Sequence, residues 1–484
     1  YTSQYTLSLH DALPIWEVED RLDLRNETIV TIDPKDARDF DDALSLKELE
    51  NGNSLLGVHI ADVSHYVTED SEIDIEARFR GTSTYLVDKV IPMIPERLSN
   101  FICSLRPEED RLAHSVFIEF TKRGVLKNYS IKRTVINSKR RYAYEEVQAI
   151  IDGGDDKFKD LILNLHKLSL ALRNRRFRKG GIDFKTFEVK YELDDDNYPL
   201  RANLKEATPA TQLVEECMLA ANQVVAGHVK EMAKKWSKRT LPYLFRIHDD
   251  PDPQQLKDAL AFVRTLGVNV NKKKKITSRD LNEILHQIEN KKEKFIIHQI
   301  LIRAMAKAIY STKNPGHYGL GFSEYTHFTS PIRRYPDLII HRLIKEYELT
   351  NPKNERITYL KRLLRDVSKQ SSERERLAID AERMSVRLAG AMMARRHVGE
   401  EFEGTISGVT SFGLFVMLDD IFSEGLVHIK DLTDDYYIYD EKNFCLIGKR
   451  RKKKFGFGQR ITVRIASANL EKRRIDLEYL ENGK

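Results

Sequence analysis

Cysteine and tryptophan are scarce in this chain of 484 residues, which contains 3 cysteines and 2 tryptophans. The cysteines, Cys103, Cys217 and Cys445, lie far apart and are odd in number. They form neither a disulfide framework nor a Cys-x-x-Cys metal pair. The sequence therefore excludes a small disulfide-stapled scaffold and a zinc ribbon built on cysteine.

Long apolar runs are also missing. No run reaches the roughly 18 apolar residues that a transmembrane helix needs. The N-terminus lacks the basic stretch, apolar core and small-residue cleavage site of a secretory signal. We therefore expect no membrane partner and a cytoplasmic location.

Charge of one sign is not in large excess, because 80 Lys and Arg face 74 Asp and Glu, a net charge of +6. This balance is compatible with a polyanionic partner but does not establish one. Residues of the hydrophobic class make up 41% of the chain. That is enough for proper cores in two or more domains.

Residues 1–15, YTSQYTLSLHDALPI, differ in composition from the acidic segment that follows them. They resemble translated adapter sequence joined to a gene, and we expect a leader that is not native to the fold. The alternative is a genuine short N-terminal arm.

The remaining chain changes its pattern twice. Residues 27–120 contain β-branched and aromatic runs separated by Pro, Gly, Asn and Asp, which predict strands. Residues 144–397 carry apolar positions at three- and four-residue spacing, which predict helices. The charged stretch 357–396 is typical of one long helix or two. These patterns predict an α+β domain over residues 16–397.

Short alternating strands with glycine at the turns fill residues 398–484 and predict a five-stranded barrel. Basic runs occur at 272–275 and 449–454. The second run, KRRKKK, has the composition of a loop that follows phosphates. A loop that only aids solubility is the alternative.

Five aspartates crowd into the segment TIDPKDARDFDDALSL: Asp33, Asp36, Asp39, Asp41 and Asp42. The run IVTI predicts a strand that delivers Asp33 at its end, because Pro34 cannot continue a strand ladder. If FDDA is extended, Asp39 and Asp41 share one face while Asp42 points away.

Gathered carboxylates repel one another unless a cation neutralises them. Ligands that are all oxygen favour Mg²⁺ or Mn²⁺ over zinc. Two such ions about 4 Å apart would clamp a phosphodiester. An EF-hand calcium loop is excluded, since Ala43 and Leu44 stand where that loop needs an oxygen ligand and a glycine. A solvated acidic turn is the remaining alternative.

The spacing Asp-x5-Asp-x-Asp-Asp resembles the catalytic signature of the RNB-domain exoribonucleases, the family of ribonuclease R and ribonuclease II. Further segments match in order: ADVSHYV, RGTSTYLVDKVIPMIPERLSNFICSLRP, KGGIDF, LVEECMLAAN, LFRIHD, HFTSPIRRYPDLIIHR, AERMSVRLA and SGVTSFGLFVMLDDIFSEGLVHIKDL. The similarity runs from about residue 20 to residue 477. It implies an RNB catalytic domain followed by an S1-type barrel of the oligonucleotide-binding fold.

The resemblance implies roles for the polar site. Asp33, Asp39, Asp41 and Asp42 would be catalytic and would ligate Mg²⁺, with Mn²⁺ as the alternative. Two adjacent arginines follow a proline turn in HFTSPIRRYPD, where guanidinium groups suit phosphate oxygens. We expect Arg333 to be catalytic and Arg334 to bind RNA or to serve the structure; a salt bridge at a helix start is the alternative for the pair.

The resemblance also implies RNA-handling residues. Tyr85 and Phe245 match an aromatic pair that clamps terminal nucleotides, although a single aromatic is more often core. Glu382 matches a glutamate near the leaving nucleotide, and a solvated helix face is its alternative. Glu215 and Glu216 are equally compatible with a channel wall and with salt bridges on a helix surface. His248 and His327 receive no chemical role.

In the barrel, SFGLFVML resembles an S1 domain. Phe412, Phe415 and His428 match positions where the family stacks nucleotides, and we expect some of them to face the core instead.

The implied activity is processive 3′-to-5′ hydrolysis of single-stranded RNA to nucleoside 5′-monophosphates by a monomer using two metal ions. Contacts to the ribose 2′-hydroxyl would select RNA over DNA. The alternatives are an inactive RNA-binding adaptor and a phosphodiesterase for small molecules. The cold-shock barrels that family members usually carry before the catalytic domain are missing from the sequence. We therefore expect an N-terminally truncated chain that keeps activity but differs in RNA affinity and entry route.

Overall fold

The structure, a computed structural model, describes residues 20–184, 188–270, 276–289, 294–441 and 444–481. The leader predicted at residues 1–15 and the basic run at 272–275 lie outside the described residues.

Strands come first in the chain and again at its end. Their bounds are β1 Leu22–Leu24, β2 Val30–Asp33, β3 Asp42–Glu48, β4 Ser54–Ala61, β5 Thr84–Tyr85, β6 Val90–Ile91, β7 Asp110–Phe120, β8 Leu126–Asn137, β9 Arg140–Ala143, β10 Glu188–Leu193, β11 Pro199–Lys205, β12 Phe245–Ile247, β13 Ile309–Ser311, β14 Glu401–Thr410, β15 Gly413–Leu418, β16 Glu424–His428, β17 Tyr437–Asp440, β18 Cys445–Gly448, β19 Lys454–Gly456, β20 Arg460–Asn469 and β21 Arg474–Leu480.

Helices dominate the middle. Their bounds are α1 Val63–Tyr66, α2 Glu72–Arg80, α3 Tyr144–Ile151, α4 Lys159–Arg178, α5 Pro209–Lys235, α6 Pro253–Thr265, α7 Ser278–Gln287, α8 Lys294–Arg303, α9 Tyr335–Leu349 and α10 Asn354–Arg396.

A seven-stranded sheet in the order β1-β8-β7-β4-β3-β2-β9 organises the first half. β3, β4, β7 and β8 are antiparallel neighbours, whereas β2 and β9 run parallel. β2 is buried along its whole length, and β4 is buried over its last six residues. The ends of β2 and β3 that carry Asp33 and Asp42 therefore belong to the largest core of the protein.

Helices cover this sheet because their apolar faces match it. α5 begins after Thr208, whose hydroxyl accepts a hydrogen bond from the Thr211 amide, and Pro209 occupies the first turn. The predicted stretch 357–396 is one helix, α10, 43 residues long. It packs near β5, β11 and β13 and ends at the barrel.

The C-terminal region is a closed barrel in the order β14-β15-β16-β21-β20. The hairpin β10–β11 and the end of α10 share its core, through residues such as Ala202, Ala391 and Met393. At Gly390 a side-chain β-carbon would lie 1.9 Å from the Ser423 hydroxyl oxygen. Only glycine therefore allows α10 to approach the barrel this closely, and the barrel is held against the α+β body.

These elements confirm the predicted α+β domain and five-stranded barrel. Three features were not predicted: the hairpin β10–β11 and the two-stranded sheet β12–β13 within the helical middle, and a three-stranded sheet β17-β18-β19 between β16 and β20. The basic run at 449–454 forms the turn between β18 and β19 and enters β19 at Lys454. Within the described ranges, no helix combines the length and the apolar character that crossing a membrane requires.

Candidate active site at the acidic cluster

The acidic segment connects two core strands. β2 ends at Asp33, a turn follows in which the Ala37 amide bonds to the Pro34 carbonyl at 3.0 Å, and β3 begins at Asp42. Residues 37–41 belong to no regular strand or helix. The expected alternation, with Asp42 pointing away from Asp39 and Asp41, therefore stays a prediction, although the charge of Asp42 acts on both Asp33 and Asp41.

Among the four aspartates, Asp41 is anchored by hydrogen bonds from two other segments of the chain. Its carboxylate accepts a hydrogen bond from the Ile332 amide at 2.8 Å, and its carbonyl accepts one from the Ala61 amide at 2.9 Å. The residue is only 4% exposed. The carboxylate therefore joins the acidic segment to the SPIRR segment almost 300 positions later, as its 291-residue separation from Ile332 shows.

Burial and mutual repulsion make these carboxyl groups reluctant to ionise. Burial raises the pKa of Asp33 and of Asp41 well above the usual range, and neighbouring aspartates raise both further. Burial raises the pKa of Asp42 to about 7, against the opposing charges of Arg333 and Arg334. Burial also raises the pKa of Asp39. The cluster thus lacks enough positive charge from the protein.

The donor types suit a hard cation, but among the described residues the four aspartates are not a group whose ligand oxygens already converge as those of Asp62, His114 and His341 do. All four side chains offer oxygen, and the Asp33 Oδ2 atom is buried without a hydrogen-bond partner. An unsatisfied buried carboxylate oxygen beside other carboxylates is the environment that Mg²⁺ or Mn²⁺ would complete. The metal site remains a proposal.

Arg141 was not identified from the sequence, although it borders the cluster. β9 places it one strand from Asp33, and its charge opposes the rise in the pKa of Asp33. Its guanidinium donates to the carbonyl oxygens of Pro34 and Lys35, the latter at 2.9 Å. It therefore fixes the turn that follows Asp33. No motif signals this role, because only the parallel register of β2 and β9 creates it.

The two adjacent arginines have different environments. The Arg333 side chain is 42% exposed, and its Nε lies 3.7 Å from Asp41 Oδ2. The Arg334 side chain is 17% exposed and donates to Asp337, which is 0% exposed, at 2.7 Å. Arg333 can therefore reach a ligand at the cluster, while Arg334 belongs to a buried ion pair. The assigned roles stay predictions.

Tyr85 and Glu382 meet at the same site. The Tyr85 hydroxyl donates to Asp39 at 3.3 Å, and the Tyr85 amide donates to the Glu382 carboxylate at 3.1 Å. The Val87 amide donates to the Ser385 hydroxyl at 3.0 Å. Glu382 and Ser385, one turn apart on α10, thus hold the strand that presents Tyr85 beside Asp39.

Phe245 is half-buried and packs against the main core, with its ring 5.3 Å from that of Tyr243. Within the described chain, no ring contact links it to Tyr85.

Glu216 forms a buried ion pair with Arg176 at 2.5 Å, so its salt-bridge interpretation describes the structure. Glu215 is half-exposed and lies 3.9 Å from the same arginine.

The expectation that some of Phe412, Phe415 and His428 face the barrel core is wrong. Leu414 and Val416 alternate inward along β15, so Phe415 points outward. Phe412 is 46% exposed, with its ring 5.9 Å from that of Phe415. His428 pairs with Gly413 on the neighbouring strand and is partly exposed. The three side chains therefore form one outer patch.

A second polar cluster, Asp62, His114 and His341, is fully buried, and one ligand atom from each lies within 4.8 Å of the others. Asp62 already bonds to Arg21 and Ser64, both at 2.7 Å. The guanidinium supplies the positive charge that a metal would bring, so this cluster is a core network.

Two domain families match this chain. The model of the RNB domain matches residues 21–350, and that of the S1 RNA binding domain matches residues 396–480. The chain belongs to the RNB family. The RNB match ends before α10 begins, and the S1 match starts at the last residue of that helix, Arg396.

Curated relatives share most of the RNB and S1 sequence. The chain is 40% identical over 481 residues to ribonuclease R 1 of Lactococcus lactis, covering 97% of this chain and 57% of that protein. It is 41% identical over 469 residues to ribonuclease R of Thermotoga maritima, covering 95% of this chain and 65% of that protein. The chain thus spans less than two thirds of either relative.

Among solved structures, Mycoplasma genitalium RNase R in complex with ribose methylated single-stranded RNA aligns with a TM-score of 0.89 at 29% identity. The alignment covers 96% of this chain and 72% of that one. The shared architecture confirms an RNB domain followed by an S1 barrel.

The environments of the two arginines predict different costs of removal. Arg334→Ala leaves Asp337 charged, buried and unpaired, so we expect a loss of about 3–5 kcal/mol in the free energy of unfolding. Arg333→Ala removes a half-exposed group and should cost about 1 kcal/mol or less. Urea unfolding of both variants measures the difference, and equal losses would contradict the assignment.

The raised pKa of Asp42 predicts a dependence of stability on pH. Because the folded chain keeps the proton to about pH 7 while an unfolded aspartate loses it near 3.8, stability contributed by this group falls as pH rises between these values. In metal-free buffer, Asp42→Asn should therefore raise the midpoint of thermal unfolding by a few degrees at about pH 8 and little at about pH 4. Asp36→Asn, in the exposed turn, is the matched control. A shift in Asp42→Asn that is independent of pH would count against the assignment.

Proposed function

We propose that this chain is a metal-dependent 3′-to-5′ exoribonuclease that hydrolyses single-stranded RNA processively to nucleoside 5′-monophosphates. The observation that carries the proposal is the buried carboxylate cluster with the exposed Arg333 guanidinium 3.7 Å from Asp41. A binding module needs no cluster of buried carboxylates opposite an anion. The names of the ribonuclease R relatives support the same reaction.

Asp33, Asp39, Asp41 and Asp42 would hold Mg²⁺, or alternatively Mn²⁺. When bound, the ions supply the positive charge that activates water and stabilises the leaving oxygen of a phosphodiester. Arg333 would donate to the scissile phosphate, where negative charge develops in the transition state. Burial raises the pKa of the Tyr85 phenol, so this side chain stays neutral beside Asp39.

The RNA strand would be held by residues of both the RNB domain and the barrel. Tyr85 would stack on a base near the scissile linkage, in a position fixed by Glu382, and Phe245 would contribute a second aromatic ring. Phe412, Phe415 and His428 would stack bases on the barrel, which a small substrate would not need. The exposed turn at 449–454 would contact phosphates. We further propose selection of RNA through the ribose 2′-hydroxyl, a monomeric enzyme and a cytoplasmic location.

Digestion of single-stranded RNA labelled at its 5′ end tests this function in the presence of Mg²⁺. The wild type should shorten the labelled strand stepwise from its 3′ end to a short limit product. Asp41→Asn should abolish shortening, since asparagine keeps the acceptor for the Ile332 amide but loses the charge.

Asp36→Asn is the matched control, because Asp36 lies in the same segment but outside the four-aspartate cluster; it should digest RNA like the wild type. A wild type that binds RNA without shortening it would contradict the proposal and favour an inactive RNA-binding adaptor.

A further inference from the structure

His327 occupies a fixed place close to the arginines of the site. Its chain neighbours are both anchored: the Thr326 hydroxyl donates to the Leu244 carbonyl at 2.7 Å, and the Phe328 amide donates to the Asn222 side chain at 2.8 Å. Five residues further on, the Ile332 amide bonds to Asp41. One rigid segment thus carries both His327 and Arg333.

The ring has a defined hydrogen-bonding state. The Tyr310 hydroxyl lies 2.8 Å from His327 Nδ1. That hydroxyl has no other acceptor among the described residues, so it donates to Nδ1. Burial and the charges of three arginines lower the pKa of His327 well below its usual range, so the ring is neutral. Its proton therefore resides on Nε2.

The Nε2–H group is a donor without a protein partner in the described part of the chain. The residue is only partly buried, and Nε2 is not enclosed by protein atoms. A protonated Nε2 cannot ligate a metal ion, so the group requires an acceptor from outside the protein.

The groups around His327 favour an anionic acceptor. Arg246, Arg333 and Arg334 are near enough for their charges to act on the ring. Arg246 bonds to Glu375 at 2.7 Å, and its guanidinium lies 4.7 Å from the centre of the Tyr310 ring. Among the acceptors of an RNA strand, phosphodiester oxygens combine negative charge with acceptor-only chemistry.

We propose that His327 donates through Nε2 to one phosphodiester of the bound RNA strand, and that Tyr310 is the positioning residue that fixes the donor. The inference rests on the proposed function for its ligand but does not require hydrolysis. It assigns a role to a histidine that sequence reasoning left without one.

Binding of labelled RNA by fluorescence anisotropy tests this contact, with every variant made in the Asp41→Asn background so that RNA is not consumed. His327→Phe keeps an aromatic ring but removes the donor, and we expect about tenfold weaker binding. His327→Gln keeps an N–H donor and should recover much of the affinity. Tyr310→Phe should show an intermediate loss. His286→Phe, on the exposed face of α7, is the matched control and should bind like the parent.

A series of RNAs, each with one neutral methylphosphonate linkage, locates the contact. The Asp41→Asn parent should lose affinity at each linkage that the protein contacts, and at one of these linkages the His327→Phe variant should lose no more. A purely structural histidine would instead give equal losses in parent and variant at every linkage, which would overturn the inference. Thermal unfolding of each variant identifies a general loss of folding. If His327→Phe does not fold, the RNA affinity of His327→Gln decides whether the N–H donor makes the contact.

The two proposals fail differently. Binding with the linkage-specific effect, but without hydrolysis by the wild type, would overturn the proposed function and leave the His327 contact standing. Hydrolysis with no linkage-specific effect would overturn the contact alone. A wild type that neither binds nor cuts RNA would overturn both.

Discussion

The hydrogen bond from the Ile332 amide to the Asp41 carboxylate, 2.8 Å long, joins the two parts of the chain on which the site depends. On one side stand the aspartates at the ends of β2 and β3, and on the other stands Arg333. Because the bond uses an acidic side chain within the core, the fold must remove a carboxyl group from water next to three others. Every further feature of the site limits or exploits that cost.

The protein supplies less positive charge than the cluster needs. Arg334 is already paired with Asp337, and Arg141 also holds the turn after Asp33 through backbone carbonyls. Arg333 remains half-exposed, with Asp41 at 3.7 Å and a hydrogen bond to the Ser330 hydroxyl, and an anion can still reach it. The aspartates therefore keep raised pKa values. The aspartates suit a cation and Arg333 suits a phosphate, so the site fits the two ligands together better than either alone. This imbalance is the physical basis of the proposed phosphodiester chemistry.

Much of this arrangement could be predicted from the sequence. The strand before Asp33, the long helix α10 and the barrel all follow from local periodicity and turn residues. Contacts created by tertiary register could not: Arg141 reaches Asp33 through the parallel pairing of β2 and β9, and His327 gains its partner from Tyr310 on a separate strand. The outward direction of Phe415 likewise required the barrel register. The motifs thus identified which residues belong to the site, whereas the contacts of those residues could be found only from the fold.

The central claim is that the four aspartates form a site for a hard divalent cation. Titration of the metal-free chain with Mn²⁺, followed by the electron paramagnetic resonance signal of the free ion, tests it most directly. The account predicts saturable loss of the free-ion signal, competition by Mg²⁺, and marked weakening in Asp41→Asn but not in Asp36→Asn. Unchanged Mn²⁺ binding in Asp41→Asn, or no binding by the wild type, would contradict it.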